Sequence, residues 1–515
     1  MQIKPYLKQV RRVFQLVCLV IFLALFRLTD YSGSDTLPYA VNVVFRLDPL
    51  VAATVILAKK TFVLVVWPSL IIIGLTVLLG RVFCSWACPL GTLIDMAGHF
   101  IKPVKKIKTS LSHLKYWLLT LLLVSSAFGV QLTGFFDPFS LLVRTLVFSI
   151  DPGLNYLASL FFDSLYTLGP PAVSNLSEPV YDLFKAFILP YRQSFFYLTG
   201  FSFLLLGVVF MLEMVSKRFW CRNLCPLGGL LAVVSKVSIF KRVPVKVCKH
   251  CELCESSCRM NAFAVQGKFE FTECNLCMDC LEFCPDQLPL FKFAFPQNHL
   301  TINMDRRKWL TAGATGLAFP VLSRTSAFSK QEDDHLIRPP GALNEIDFLA
   351  TCVRCGECMK VCINNALQPL FLEQGIEGMF TPILVPRLGY CEFNCTLCSQ
   401  VCPTGAINRL DLKQKHAFVM GKACFDKNRC LVYADQKSCI VCEEHCPTYD
   451  KAIKFNIASV LDFTGKLVEL KQPYVDKALC VGCGICEYVC PVQGDAAIRV
   501  VGKPKQDKEQ SFGYG

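Results

Sequence analysis

The chain has 515 residues, about half apolar and 18% charged, with 30 cysteines and a formal net charge of +13. It is too long for one compact domain and too apolar for an ordinary soluble one, and its repeating cysteine spacing excludes the short, irregular disulfide scaffolds of secreted proteins. The positive charge does not point to nucleic acid: Lys102, Lys105, Lys106 and Lys108, then Lys236, Lys241, Arg242 and Lys246, flank apolar runs as cytoplasmic membrane loops do.

Long apolar runs fill the first 215 residues. Stretches 13–28, 61–80, 116–131 and 195–214 read as helices able to cross a hydrocarbon core of about 30 Å. Lys4, Lys8, Arg11 and Arg12 set the N-terminus in the cytoplasm, and alternation returns the chain there near Arg81 and Lys217. Lys59 and Lys60 then fall on the outer side, so 49–58 reads as re-entrant or interfacial, and four to five spans are expected.

Residues 10–100 and 115–240 repeat one plan. Each copy has a span, an Asp-Pro segment (Asp48-Pro49; Asp137-Pro138), a second span and a cysteine motif. The motifs are Arg81-Val-Phe-Cys84-Ser-Trp-Ala-Cys88-Pro89-Leu90-Gly91 and Arg218-Phe-Trp-Cys221-Arg-Asn-Leu-Cys225-Pro226-Leu227-Gly228. Two spans separate them, so both emerge on one membrane face, as in a parallel repeat. Cys84, Cys88, Cys221 and Cys225 can therefore converge on a further iron–sulfur or metal site; separately buried cysteine pairs are the plainer alternative. Asp48 and Asp137 read first as helix N-caps before proline, and second as weak candidates for accepting quinol protons.

Next come Cys248-x2-Cys251-x2-Cys254-x3-Cys258 and Cys274-x2-Cys277-x2-Cys280-x3-Cys284-Pro285. This is the bacterial two-cluster ferredoxin run, in which each fourth cysteine closes the other cluster. Cys248, Cys251, Cys254 and Cys284 thus form one [4Fe–4S] set, and Cys274, Cys277, Cys280 and Cys258 the other. Zinc sites use paired rather than triplet spacing. Arg259 stands where proline often follows the fourth cysteine.

Arg306-Arg307 then precedes a mildly apolar, small-residue stretch to about Ala327, a pattern resembling a twin-arginine export signal placed internally. Clusters are inserted in the reducing cytoplasm, so a loaded domain must be exported folded. Four more quartets follow: Cys352, Cys355, Cys358 and Cys362; Cys391, Cys395, Cys398 and Cys402; Cys430, Cys439, Cys442 and Cys446; Cys480, Cys483, Cys486 and Cys490. Cys424 is an alternative to Cys430, and Cys18 and Cys424 are otherwise left over. His445 lies inside a motif as a solvated neighbour or a tuner of cluster potential. No Cys-x-x-Cys-His and no histidine within a span point to haem, and no Gly-x-Gly-x-x-Gly fingerprint points to NAD.

The sequence divides into 1–240, a duplicated helical membrane domain; 241–300, a cytoplasmic two-cluster module; 301–330, a twin-arginine segment and anchor; and 331–515, a four-cluster domain on the periplasmic side. The fold class is an α-helical membrane domain joined to α+β ferredoxin-like domains.

On these motifs residues 1–300 resemble NapH, MauN and the membrane part of NosR, and residues 304–505 resemble NapG and MauM. The resemblance favours Cys430 over Cys424, and implies that the first quartet pairs with the fourth and the second with the third. It further implies an inner-membrane quinol dehydrogenase module within a larger respiratory complex. That module would carry six [4Fe–4S] clusters and pass electrons from quinol to a periplasmic cytochrome or reductase. The flavin domain of NosR has no counterpart, so covalent FMN is not expected. A cytoplasm-to-periplasm conduit and a membrane reductase serving maturation of another enzyme are the competing readings.

Overall fold

The computed structural model describes residues 4–37, 39–61, 64–101, 111–168, 171–190, 192–243, 253–263, 269–283, 290–293, 306–324, 336–461 and 467–502. Cys248, Cys251 and Cys284 lie outside them, as do the basic residues of 102–110.

The first part is helical: α1 (Lys4–Leu28), α2 (Pro49–Lys59), α3 (Ser69–Leu79), α4 (Pro89–Phe100), α5 (His113–Ala127), α6 (Pro138–Thr145), α7 (Asp151–Leu168), α8 (Pro171–Phe187), α9 (Thr199–Met211) and α10 (Pro226–Val234). The expected run of long spans is corrected here. Among the described residues one helix, over Tyr6–Leu28, is long and apolar enough to cross a membrane. The stretch 61–80 shrinks to the 11 residues of α3 because Pro68 opens that helix and Gly80, at φ 73°, closes it. The stretch 116–131 ends at Ala127, ahead of Gly129 at φ 80°, and 195–214 has 13 α-helical residues followed by a 3-10 turn. At 1.5 Å per residue these helices reach about 17–22 Å. Segment 49–58 lies within α2, with Pro49 to Ala52, Thr54 and Val55 buried.

Both Asp-Pro segments are helix starts. Asp48 accepts from the Leu50 and Val51 amides and Asp137 from the Ser140 amide, each with proline at the first helical position. The twin-arginine stretch forms α11 (Arg306–Arg324), which lies along α5. The absence of a side chain at Gly316 permits this: a Cβ there would sit 2.9 Å from Val124.

Among the described residues the ferredoxin-like parts contain four two-stranded antiparallel sheets. β1 (Phe240–Val243) pairs with β2 (Leu290–Phe293), and β3 (Leu367–Pro369) with β4 (Pro382–Leu384). β5 (Lys422–Phe425) pairs with β8 (Ile498–Val501), and β6 (Ile453–Leu461) with β7 (Leu467–Val475).

The two ferredoxin parts contact opposite ends of α1. Near its start, Arg11 donates to the Cys277 carbonyl at 2.8 Å and pairs with Asp279 at 2.7 Å. Just past its end, Asp30 lies 3.7 Å from Lys360, and Asp35 accepts from the Thr396 amide at 2.7 Å. One apolar core runs through Phe22, Phe45, Phe139 and Phe148 into Phe348, Val353 and Phe380, joining the helical part to residues 336–502.

Candidate functional site

Cys352, Cys355, Cys358 and Cys402 line one cavity of about 370 Å³, termed site A. Cys430, Cys439, Cys442 and Cys490 line another of about 340 Å³, site D. Cys362 lies within electrostatic reach of Cys391, Cys395 and Cys398, forming site B, and Cys446 of Cys483 and Cys486, which adjoin Cys480 to form site C. Fourth cysteines are thus exchanged between adjacent quartets. The first quartet pairs with the second and the third with the fourth, which corrects the pairing implied by resemblance. The physical reason is local: β3 and β4 fold the linker between Cys362 and Cys391 back on itself, bringing those two quartets together.

The sites stand in the order A, B, C, D. B touches C where the Cys391 amide donates to the Cys483 carbonyl at 2.9 Å. In site A, Gly356 adopts φ 85° between Cys355 and Cys358, and a Cβ there would press on the Phe148 ring at 3.3 Å. Backbone amides donate to Cys402 Sγ from Ile407 and to Cys480 Sγ from Ala423, each at 3.4 Å. Such bonds raise a cluster's reduction potential by stabilising charge on sulfur. Burial pushes the Cys442 and Cys483 thiols up to about 12, so without iron they stay neutral at pH 7 and metal loading must displace their protons. Cys424 lies in β5 opposite Arg499 and within electrostatic reach of Cys480, Cys18 lies in α1, and neither lines the cavity of site A or site D. His445 is exposed and contacts the Val441 carbonyl.

In the first module Cys258 adjoins Cys274, Cys277 and Cys280, and Cys254 also neighbours Cys280. The module is held by charged contacts, of which the sequence patterns single out Arg259 alone. Glu273 pairs with Lys115 and accepts from the Tyr116 hydroxyl at 2.9 Å. Burial raises the Glu273 carboxyl, but Lys115 and Arg81 outweigh it and hold the group below its usual range. Arg259 bridges Asp95 at 3.1 Å and Asp279 at 2.5 Å. Its departure from proline therefore has a docking role.

Cys84, Cys88, Cys221 and Cys225 meet around a single cavity of about 410 Å³, together with Arg81, Arg218, Pro138 and Met260. The duplicated arginines cross over. Arg218 donates to the Cys84 carbonyl at 3.2 Å and the Gly91 carbonyl at 3.4 Å, while Arg81 Nη2 lies 3.2 Å from where a Cβ on Gly228 would stand. Each glycine leaves room for the other copy's guanidinium. Four thiols, two cations and a cavity no smaller than sites A and D fit an iron–sulfur cluster, whose thiolate ligands carry excess negative charge. Among the described residues no three Cys, His, Asp or Glu donors close on a single metal ion. The thiols instead surround volumes, as ligands of a multi-iron cluster do.

Comparison with known proteins agrees with this chemistry. A family described as a 4Fe-4S binding domain matches residues 61–108 and 198–244, one match on each copy of the duplication. A 4Fe-4S dicluster domain matches 351–406, spanning the paired first and second quartets, and a further 4Fe-4S binding domain matches 472–497. The methylamine utilization ferredoxin-type protein MauM of Methylorubrum extorquens is 38% identical over 205 residues, covering 38% of this chain and 88% of that protein. The ferredoxin-type protein NapG of Escherichia coli is 35% identical over 218 residues, covering 40% of this chain and 87% of its own length. MauM of Paracoccus denitrificans is 37% identical over 192 residues, 36% of this chain and 79% of its own. No solved structure matches. The chain is an iron–sulfur electron-transfer protein and belongs to the family of MauM and NapG ferredoxin-type proteins.

Proposed function

We propose that the chain is a membrane-embedded relay that takes electrons from quinol in its helical domain and delivers them to a redox partner at the four-cluster end. The observation that carries this reading is the placement of thiol sites on both sides of the helical part, with the four-cysteine cavity inside it. Outward faces of the helices are apolar, including Val13, Val17 and Val20 on α1, Leu157 and Phe161 on α7, and Phe203 and Leu204 on α9. Apolar surface on this scale suits lipid contact rather than water. The likeness of residues 1–300 to NapH, MauN and NosR belongs to the same reading.

In this account six cysteine quartets and the four-cysteine cavity each hold a cluster that accepts and releases one electron at a time. The chain's own residues set the route. Cys254–Cys280 and the Cys84/Cys225 cavity lie on the cytoplasmic side, and sites A to D lead away on the periplasmic side after export directed by Arg306 and Arg307. Phe380 lines site A and stacks on Phe148 and Phe201 of the helical part, excluding water where the two meet.

Anaerobic addition of a short-chain quinol to purified full-length protein tests the reading, followed by absorbance and electron paramagnetic resonance. Reduction of the C-terminal sites is expected. Protein reduced by dithionite but untouched by quinol would overturn the proposal. A second reading, a cytoplasmic donor feeding the first module, is favoured by Met260 of that module, which lines the four-cysteine cavity. Under it, Cys277→Ser abolishes transfer from the cytoplasmic side and leaves quinol without effect.

A further inference from the structure

The two Asp-Pro caps do more than start helices. Asp48 and Asp137 belong to different copies of the duplication, yet their carboxyls lie within hydrogen-bonding reach of each other. Both are essentially inaccessible, at 1% and 0% exposed. Asp48 spends Oδ1 on the Leu50 and Val51 amides at 2.7 and 3.3 Å, and Asp137 spends Oδ2 on the Ser140 amide at 2.7 Å. Asp48 Oδ2 and Asp137 Oδ1 remain buried with no donor. Two carboxylates this close in a dry site cannot both be ionised, and a buried oxygen without a donor costs about 1–3 kcal/mol. One proton held between the two groups removes both problems.

The pair also has a distinctive address. Pro138, next to Asp137, lines the four-cysteine cavity. On the other side Arg144 lies within electrostatic reach of both Asp137 and Cys355 of site A, with its guanidinium 4.1 Å over the Phe380 ring. Arg144 is 1% exposed, and its Nε and Nη2 have no partner. The Ser140 hydroxyl adjoins Asp137, Arg354 faces Arg144, and Arg46 lies two residues before Asp48 and faces buried Glu357. Within this set Arg46 faces Glu357, and the remaining charge of the dyad faces Arg144.

We infer that Asp48 and Asp137 share a single proton where the two copies meet, and that the pair takes up a second proton when an adjoining thiol site is reduced. The balance is simple. One electron enters the adjoining site, one proton from solvent forms one O–H bond, and the dyad passes from one carboxylic acid to two. An added negative charge in a low-dielectric interior favours this uptake because the neighbouring guanidiniums are already charged and can gain no further proton, whereas the carboxyl pair can. The inference goes beyond quinol oxidation and does not depend on the identity of the electron donor.

Infrared difference spectroscopy on the full-length, cluster-loaded protein tests it, with dithionite as reductant. Oxidised protein is expected to show a protonated-carboxyl band that shifts in D₂O, and reduction is expected to add to that band. Asp48→Asn and Asp137→Asn should each abolish both features while keeping the cap, since asparagine caps as well as aspartate and its amide can donate to the remaining carboxylate. A missing band in oxidised wild type overturns the shared proton, whether or not either variant folds. A band unchanged by reduction overturns the uptake, and one that survives both substitutions assigns the proton elsewhere. If quinol fails to reduce the protein while these dithionite features persist, the proposed donor falls and the dyad stands.

Discussion

Gly134 offers the sharpest perturbation of the route between the helical part and site A. A Cβ at this position would lie 2.2 Å from the Val353 carbonyl oxygen and 3.1 Å from Arg354 Cβ, whereas ordinary contact begins at 3.4 Å. The obstacle is backbone, so Gly134→Ala must push the two surfaces apart by about 1.2 Å. The surroundings resist: Arg354 donates to the Gln131 carbonyl, and to the Glu377 carbonyl at 2.7 Å, while Arg144 holds the Gly134 carbonyl at 2.8 Å. Overpacking of this kind costs about 1–3 kcal/mol. At about 1.4 kcal/mol per tenfold, a cost near 2 kcal/mol weakens docking about 30-fold. Hydrogen exchange should therefore accelerate across 352–358. The rate at which quinol reduces sites A to D should fall, while dithionite still reduces them. A Gly134→Ala protein with wild-type protection at Val353 and wild-type transfer would refute this account of the interface.

Further outcomes follow from the cysteine assignments and the buried charges. Cys402→Ser should remove the site A signal in electron paramagnetic resonance and leave site B intact, whereas Cys490→Ser should remove site D. Loss of site A on Cys490→Ser would restore the pairing of first with fourth quartet. Cys424→Ser should leave iron content unchanged, and Cys430→Ser should cost one site's worth. Glu273→Gln leaves Lys115 buried without its countercharge, a loss of about 3–5 kcal/mol read by thermal unfolding. Because the folded Glu273 carboxyl is held low, its contribution is complete above its unfolded value and declines only as pH falls below about 4. Wild-type unfolding followed from pH 7 to 3, with Glu273→Gln as reference, checks the sign.

The cysteine quartets were legible because a cubane site is encoded locally, by a close triplet and a following fourth thiol. Which half closes which site was not, since that depends on how the linkers fold; the β3–β4 pair decides it for Cys362 and Cys402. Asp48 and Asp137 were legible as caps from the proline that follows them. Their meeting was not, because it needs the register between two copies of a repeat. The spans look longer in the sequence than in the fold, since hydropathy passes smoothly over Pro68 and Gly129 although the backbone does not. Glu273 looks like an ordinary charge in the sequence, and Arg81, Arg218 and Arg259 show there only as positions in the cysteine motifs. Only the fold turns them inward against Asp95, Lys115 and the opposite cysteine motif.

The account rests on sulfur ligands gathered in sets of four, and iron and acid-labile sulfide in anaerobically purified full-length protein test that most directly. Seven clusters' worth of each per chain is expected, falling to six when Cys84 and Cys221 are both replaced by serine. Well-folded protein with far less of both, or a double variant with undiminished iron, would contradict it.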